Sequence, residues 1–136
     1  MNERRKILFI ILPYLSWSKT AGNNNTRSVL AFPYGVLSIA SYIKSKSEVT
    51  PKISILDLNL YAQEDLPNII LKTLEENSPE IVAISMMFDS SYKHLRSVSE
   101  KIKDYNKKII VVLGGCAATV SWNVILHEQK DVDALC

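Results

Sequence analysis

A chain of 136 residues, 47% hydrophobic and 22% charged, carries enough apolar material for one packed domain. Its net charge of +2, with no Lys/Arg stripe interleaved with aromatics, leaves no electrostatic footprint for nucleic acid. The two cysteines, Cys116 and Cys136, form neither a metal-ligand spacing nor a disulfide framework, so a reducing, cytoplasmic setting is expected.

The segment from Met1 to Lys6 is basic and Ile7 to Leu12 is apolar, superficially like a secretory leader. Pro13 interrupts the run, however, and Ser18-Lys19-Thr20-Ala21-Gly22 offers no small-residue cleavage pattern. A membrane-spanning helix needs roughly 20 apolar residues, so no span is expected either. Lys6 to Leu12 is therefore read as the first buried strand. The polar loop from Pro13 to Pro33 that follows is long for a compact domain, and loops of that length tend to carry function.

Tyr34 to Lys46 places Val36, Leu37, Ile39, Ala40 and Ile43 at helical spacing. Ile53 to Leu58 reads as the second strand, ending near Asp57. Leu66, Ile69, Ile70 and Leu74 mark a second helix, with Asp65 as its cap and Pro67 in its first turn. Pro79 disfavours helical dihedrals at Ser78, which ends that helix. Ile81 to Met86 is the third strand. Asp89, Ser90 and Ser91 are placed to cap a third helix with the stripe Leu95, Val98, Ile102 and Tyr105. Its other face, Lys93, Arg96, Glu100, Lys101 and Lys103, is expected to be solvated, as are His94 and His127 on their helices.

The stretch from Lys108 to Ser121 organises the rest. Ile109 to Leu113 is a continuous, mostly β-branched run suited to a parallel strand covered on both faces. Gly114 and Gly115 remove two Cβ atoms at its carboxyl end, where open α/β sheets hold their ligands. Cys116, Ala117 and Ala118 keep the next turn small, and Thr119 or Ser121 is placed to cap a helix over about Ser121 to Glu128. The glycines serve either a tight turn or a slot for part of a large ligand. Val132 to Leu135 reads as a fifth strand. Strands alternating with crossover helices predict one doubly wound five-stranded parallel α/β sheet over residues 1–136, in the flavodoxin-like order 2-1-3-4-5.

The strand ends exclude several chemistries. No G-x-G-x-x-G follows strand one, no P-loop is present, and strand one ends without the acids of a phospho-receiver. Asp57, without those glycines, is a cap or turn residue. No nucleophile–histidine–acid set is legible, so no catalytic residue and no protein metal ligand is assigned. The chain reads as a binding module.

Phe32-Pro33-Tyr34-Gly35-Val36-Leu37, Ile55-Leu56-Asp57-Leu58, Pro79 to Ser85, Gly114-Gly115 and Asp131-Val132-Asp133-Ala134 occur here in order and at the right spacing. In these the chain resembles the N-terminal cobalamin-binding domain of cobalamin-dependent radical S-adenosylmethionine enzymes, a Rossmann-like fold, from about Lys6 onward. The resemblance implies cobalamin as cofactor. It implies Ser85 as a hydroxyl donor to the nucleotide tail's base, Met86 and Met87 as an adaptable apolar wall, and Gly114, Gly115, Cys116 and Ala117 as the tail's slot. Tyr34 and Gly35, which open the first helix, join that cofactor-binding set, and Tyr14, Trp17 and Arg27 are candidates for the corrin's lower face.

Two departures matter. Domains that ligate cobalt through histidine carry D-x-H-x-x-G after strand one, and no histidine stands there. The resemblance then implies a base-off cofactor with no histidine on cobalt. Radical S-adenosylmethionine chemistry also needs three cysteines for a [4Fe-4S] cluster, and two are present. The expectation is a domain excised or truncated from a longer enzyme, a methyltransferase or ring-forming enzyme. Its S-adenosylmethionine, cluster and radical domain would belong to the rest of the chain. A flavodoxin-like regulatory or interaction domain with an empty Gly-Gly turn is the alternative.

Overall fold

The computed structural model describes residues 4–14 and 32–136. Five parallel strands, β1 (Lys6–Ile11), β2 (Lys52–Asp57), β3 (Ile81–Ser85), β4 (Ile110–Gly114) and β5 (Ala134–Leu135), form one sheet in the order β2-β1-β3-β4-β5. The helices are α1 (Tyr34–Lys46), α2 (Leu66–Asn77), α3 (Tyr92–Tyr105), α4 (Cys116–Val120) and α5 (Trp122–Glu128). Fold class and strand order are those expected from the sequence.

Alternation along the strands divides the core in two. Leu8 and Ile10 of β1, Val82 and Ile84 of β3, and Val111 and Leu113 of β4 pack under α2 through Leu66, Ile70 and Leu74. The same cluster takes in Leu95, Val98 and Ile102 of α3, Ala117 and Ala118 of α4, and Ile125 of α5. Phe9 and Ile11 point the other way, onto Val36 and Ala40 of α1. The apolar run of β1 is continuous because both of its faces are covered.

Local details differ from the sequence expectations. Asp65 and Ser91 hold the N-cap positions of α2 and α3 in helical dihedrals, and neither side chain makes a capping hydrogen bond. A short 3-10 turn before each helix, Gln63–Asp65 and Asp89–Ser91, pre-forms the first turn instead. Ser78 ends α2 in the left-handed region at φ 43°, with its N–H bonded to the carbonyl of Leu74 at 2.8 Å.

Lys103 is not part of a solvated face. Its ammonium donates to the Ile109 carbonyl at 2.7 Å and to Asp133 Oδ2 at 2.6 Å, while Val111 N–H donates to the same Asp133 oxygen at 2.7 Å. Burial would raise the Asp133 carboxyl, but the Lys103 ammonium and the Val111 N–H outweigh it and hold the group below its ordinary value. That network fastens α3 and the entry to β5 onto β4. His94 is half-buried rather than solvent-facing, whereas His127 is exposed as expected.

Candidate functional site

All five strands point the same way, so their carboxyl ends share one edge, where the loops leading to the helices gather. Backbone bonds knit that edge together: Leu12 N–H to the Ser85 carbonyl at 3.1 Å, Met86 N–H to that of Gly114 at 2.8 Å, and Cys136 N–H to that of Leu113 at 3.0 Å. Ser85 stands in register between Ile11 and Gly114. The chain then splits the two methionines. Met86 is fully buried in the core, and Met87 turns outward at 49% exposure beside the exposed Phe88.

The two glycines are packed, not vacant. Gly115 adopts φ +112°, a conformation that excludes side chains, and a Cβ there would fall 2.5 Å from the Met86 carbonyl oxygen. A Cβ on Gly114 would meet Cys136 Sγ at 3.1 Å. The missing side chain of Gly115 therefore serves close backbone approach, and that of Gly114 leaves room for the Cys136 side chain. A separate short helix, α4, starts at Cys116, and the helix expected over about Ser121 to Glu128 follows it as α5. Thr119 and Ser121 do not cap it: the Thr119 hydroxyl donates back to the Gly115 carbonyl at 3.1 Å, and Ser121 sits at the break between α4 and α5.

Open space lies beside the glycines. A groove of about 260 Å³ runs between the β3–α3 loop and α4, lined by Met87, Phe88, Asp89, Cys116, Ala117 and Val120. Of the residues expected from sequence, Met87, Cys116 and Ala117 meet there. Tyr14 adjoins it, with its ring centroid 5.1 Å from that of Phe88. Ser85 and Gly114 stand at the same sheet edge without lining the groove. Tyr34 and Gly35 sit exposed at the head of α1, where Tyr34 packs on Phe32 at 4.7 Å. Trp17 and Arg27 lie outside the described residues.

Sequence reading gave no place in the site to Phe88, Asp89 (read there only as a helix cap), Val120 or Asn59. The first three follow the ends of β3 and β4, and that position is itself the signal. Asn59 stood out only as one amide between Leu58 and Leu60. It is buried, its backbone N–H donates to Asp57 Oδ1 at 2.9 Å, and Asp57 thereby caps the turn Leu58–Leu60.

Two further features mark the start of α3. The Tyr92 hydroxyl donates to Glu128, which raises its pKa above the ordinary tyrosine value, and accepts from Gln129 Nε2 at 3.2 Å, tying α3 to α5. Ser91 is buried, and its hydroxyl has no hydrogen-bond partner among the described residues. Among those residues no cluster of three metal-ligating side chains occurs, and no helix is long and apolar enough to cross a membrane.

The sheet is of the doubly wound, flavodoxin-like class, with an open groove where β3 and β4 end, the edge at which such sheets hold ligands. The family model for the B12 binding domain matches residues 23–136, and the chain belongs to that family. β1 precedes the matched residues, yet its pairing with β2 and β3 makes it an interior strand of the sheet. Neither curated proteins nor solved structures give a match.

Proposed function

We propose that this domain binds cobalamin with its nucleotide tail released from cobalt and no histidine in the tail's place. On this reading it is the cofactor domain of a radical S-adenosylmethionine enzyme that transfers a methyl group or closes a ring. The observation that carries the reading is the groove between residues 87–89 and the first turn of α4, in a chain of the B12-binding family. It is open to solvent, with Met87, Phe88, Ala117 and Val120 as its apolar lining and one carboxylate, Asp89, beside them. Those residues fit the cofactor: small side chains admit the edge of an aromatic base, and the exposed Met87, Phe88 and Val120 offer a flat apolar rest for the corrin. Asp89 can accept from the corrin's peripheral amides. The tail's slot is thus assigned to Cys116, Ala117 and Val120 rather than to the space over Gly114 and Gly115.

Histidine ligation finds no support. The chain's two histidines are His94 on α3 and His127 on α5, and neither lines the groove. When bound, the cofactor supplies alkyl-transfer or radical chemistry at cobalt; the chain's own residues hold it and keep its lower face dry. Cys116 and Cys136, both free thiols, cannot hold a [4Fe-4S] cluster, so the cluster and S-adenosylmethionine belong to another domain on this reading. Free thiols also suit a cytoplasmic protein.

The test is retention of hydroxocobalamin through desalting, followed by reduction and electron paramagnetic resonance. The expected result is a coloured one-to-one complex whose cob(II)alamin signal lacks nitrogen superhyperfine splitting. Such splitting would show an imidazole or benzimidazole on cobalt and overturn the base-off, histidine-free form. A colourless folded protein would overturn the cofactor itself. That last result would favour a cofactor-free regulatory domain, a reading to which the internal packing of Gly114 and Gly115 lends weight.

A further inference from the structure

We propose that Asn59 is a positioning residue that sets Tyr14, and through it Phe88, as one wall of the cofactor groove. The inference rests on the cobalamin reading above. Its starting point is an anomaly of burial: Asn59 is only 2% exposed, between Leu58 and Leu60, where a leucine would bury equally well. An amide so placed is costly unless its polar atoms are satisfied. Two of its contacts go to one short segment. Asn59 Nδ2 donates to the Leu12 carbonyl at 3.2 Å, and its Oδ1 accepts the Tyr14 N–H at 2.9 Å.

Those two groups flank Pro13, which has no N–H with which to continue a strand ladder. The side-chain amide therefore acts as an extra peptide unit beyond the end of β2 and holds the chain leaving β1 extended for two more residues. Asp57 orients the amide, accepting from Asn59 Nδ2 at 2.8 Å. With its backbone fixed, Tyr14 brings its ring to the 5.1 Å tilted contact with Phe88, a side chain that lines the groove. Asn59 is not among the residues that line the groove. Its influence on a ligand passes through Tyr14.

The test is a double-mutant cycle on hydroxocobalamin affinity with Asn59→Leu and Tyr14→Ala in the full chain. Each single substitution is expected to weaken binding about tenfold, and Asn59→Leu is expected to add nothing in the Tyr14→Ala background. Multiplying losses would mean that Asn59 supports the fold generally, and unchanged binding in Tyr14→Ala would mean that Tyr14 is not a wall; either overturns the proposal. If Asn59→Leu does not fold, Asn59→Ala takes its place, removing the contacts to Leu12 and Tyr14 without adding bulk or charge. The same non-additivity is expected of it.

A second readout needs no cofactor. With 3-fluorotyrosine incorporated and the position-14 signal assigned by Tyr14→Phe, the fluorine resonance should move in the Asn59 variant while those of the other tyrosines stay. An unmoved resonance overturns the link between Asn59 and Tyr14 even if the parent binds cobalamin. A moved resonance in a parent that binds none leaves the link standing and removes the cofactor reading alone.

Discussion

A Cβ on Gly115 would lie 2.5 Å from the carbonyl oxygen of Met86, closer than any side chain tolerates. The turn after β4 is thus pressed onto the backbone that leaves β3, in a conformation at φ +112° that only glycine adopts readily. The contact lies immediately before α4, whose Ala117 and Ala118 pack into the main core.

Gly115→Ala is expected to destabilise the domain by about 2–4 kcal/mol, combining a strained dihedral with an overpacked contact. Gly114→Ala is expected to cost under about 1 kcal/mol, because its Cβ would be tight only against the movable Cys136 Sγ, at 3.1 Å, and in ordinary contact with the Cys136 carbonyl oxygen at 3.6 Å. Urea denaturation of both variants checks the contrast. Equal losses would show that the Met86 contact does not discriminate between the two glycines.

Ala117 lines the groove but also belongs to the main core. Ala117→Leu is therefore expected to lose about 1–3 kcal/mol of stability, and a binding defect in that variant would say little about the slot. Val120, 80% exposed on the groove's rim, separates the two effects. Val120→Glu should leave stability within about 0.5 kcal/mol of the parent. It should weaken cobalamin binding at least about tenfold by placing a carboxylate on the apolar rest. Unaltered binding in Val120→Glu would move the corrin elsewhere.

Lys103→Met keeps the side chain's length and removes both of its hydrogen bonds. It should destabilise the fold by about 1–2 kcal/mol, at the low end of charged hydrogen bonds because Asp133 is partly solvated. Hydrogen exchange should show faster exchange of the Val111 and Asp133 amides, with little change in β1. Uniform acceleration through the sheet would contradict a local clamp on β5.

Burial, and then the neighbouring Lys93 charge, lower the His94 pKa below its ordinary value of 6.5. The unfolded chain therefore takes up this proton more readily than the folded one as pH falls. The stabilising contribution is complete above about pH 6.5 and is lost as pH falls from there through the lowered folded value. Urea midpoints between pH 8 and pH 5 should fall more steeply for the parent than for His94→Gln. Parallel curves would rule out His94 as a source of acid sensitivity.

The sequence by itself determined the architecture. The continuous apolar run of β1 is covered on both faces, whereas β4, expected to be covered likewise, leaves Ile110 50% exposed; strands alternating with helices still leave a parallel doubly wound sheet as the natural arrangement. It determined α1 from Tyr34 to Lys46, because apolar spacing is a local property. It marked Gly114-Gly115 as special, and it placed Met87, Cys116 and Ala117 at a strand-end site.

Only the tertiary structure decided what those residues do. Whether Gly115 leaves a slot or fills a contact depends on how near Met86 comes, from the neighbouring strand. Which of Met86 and Met87 faces the core depends on where the β3 ladder ends. Asn59 meets Tyr14 from 45 residues away and Lys103 meets Asp133 across 30, so neither pairing leaves a periodic trace in the chain. Helix and strand patterns report each residue's own burial, whereas a hydrogen-bonded partner is chosen by strand order and register, which exist only once the sheet has formed.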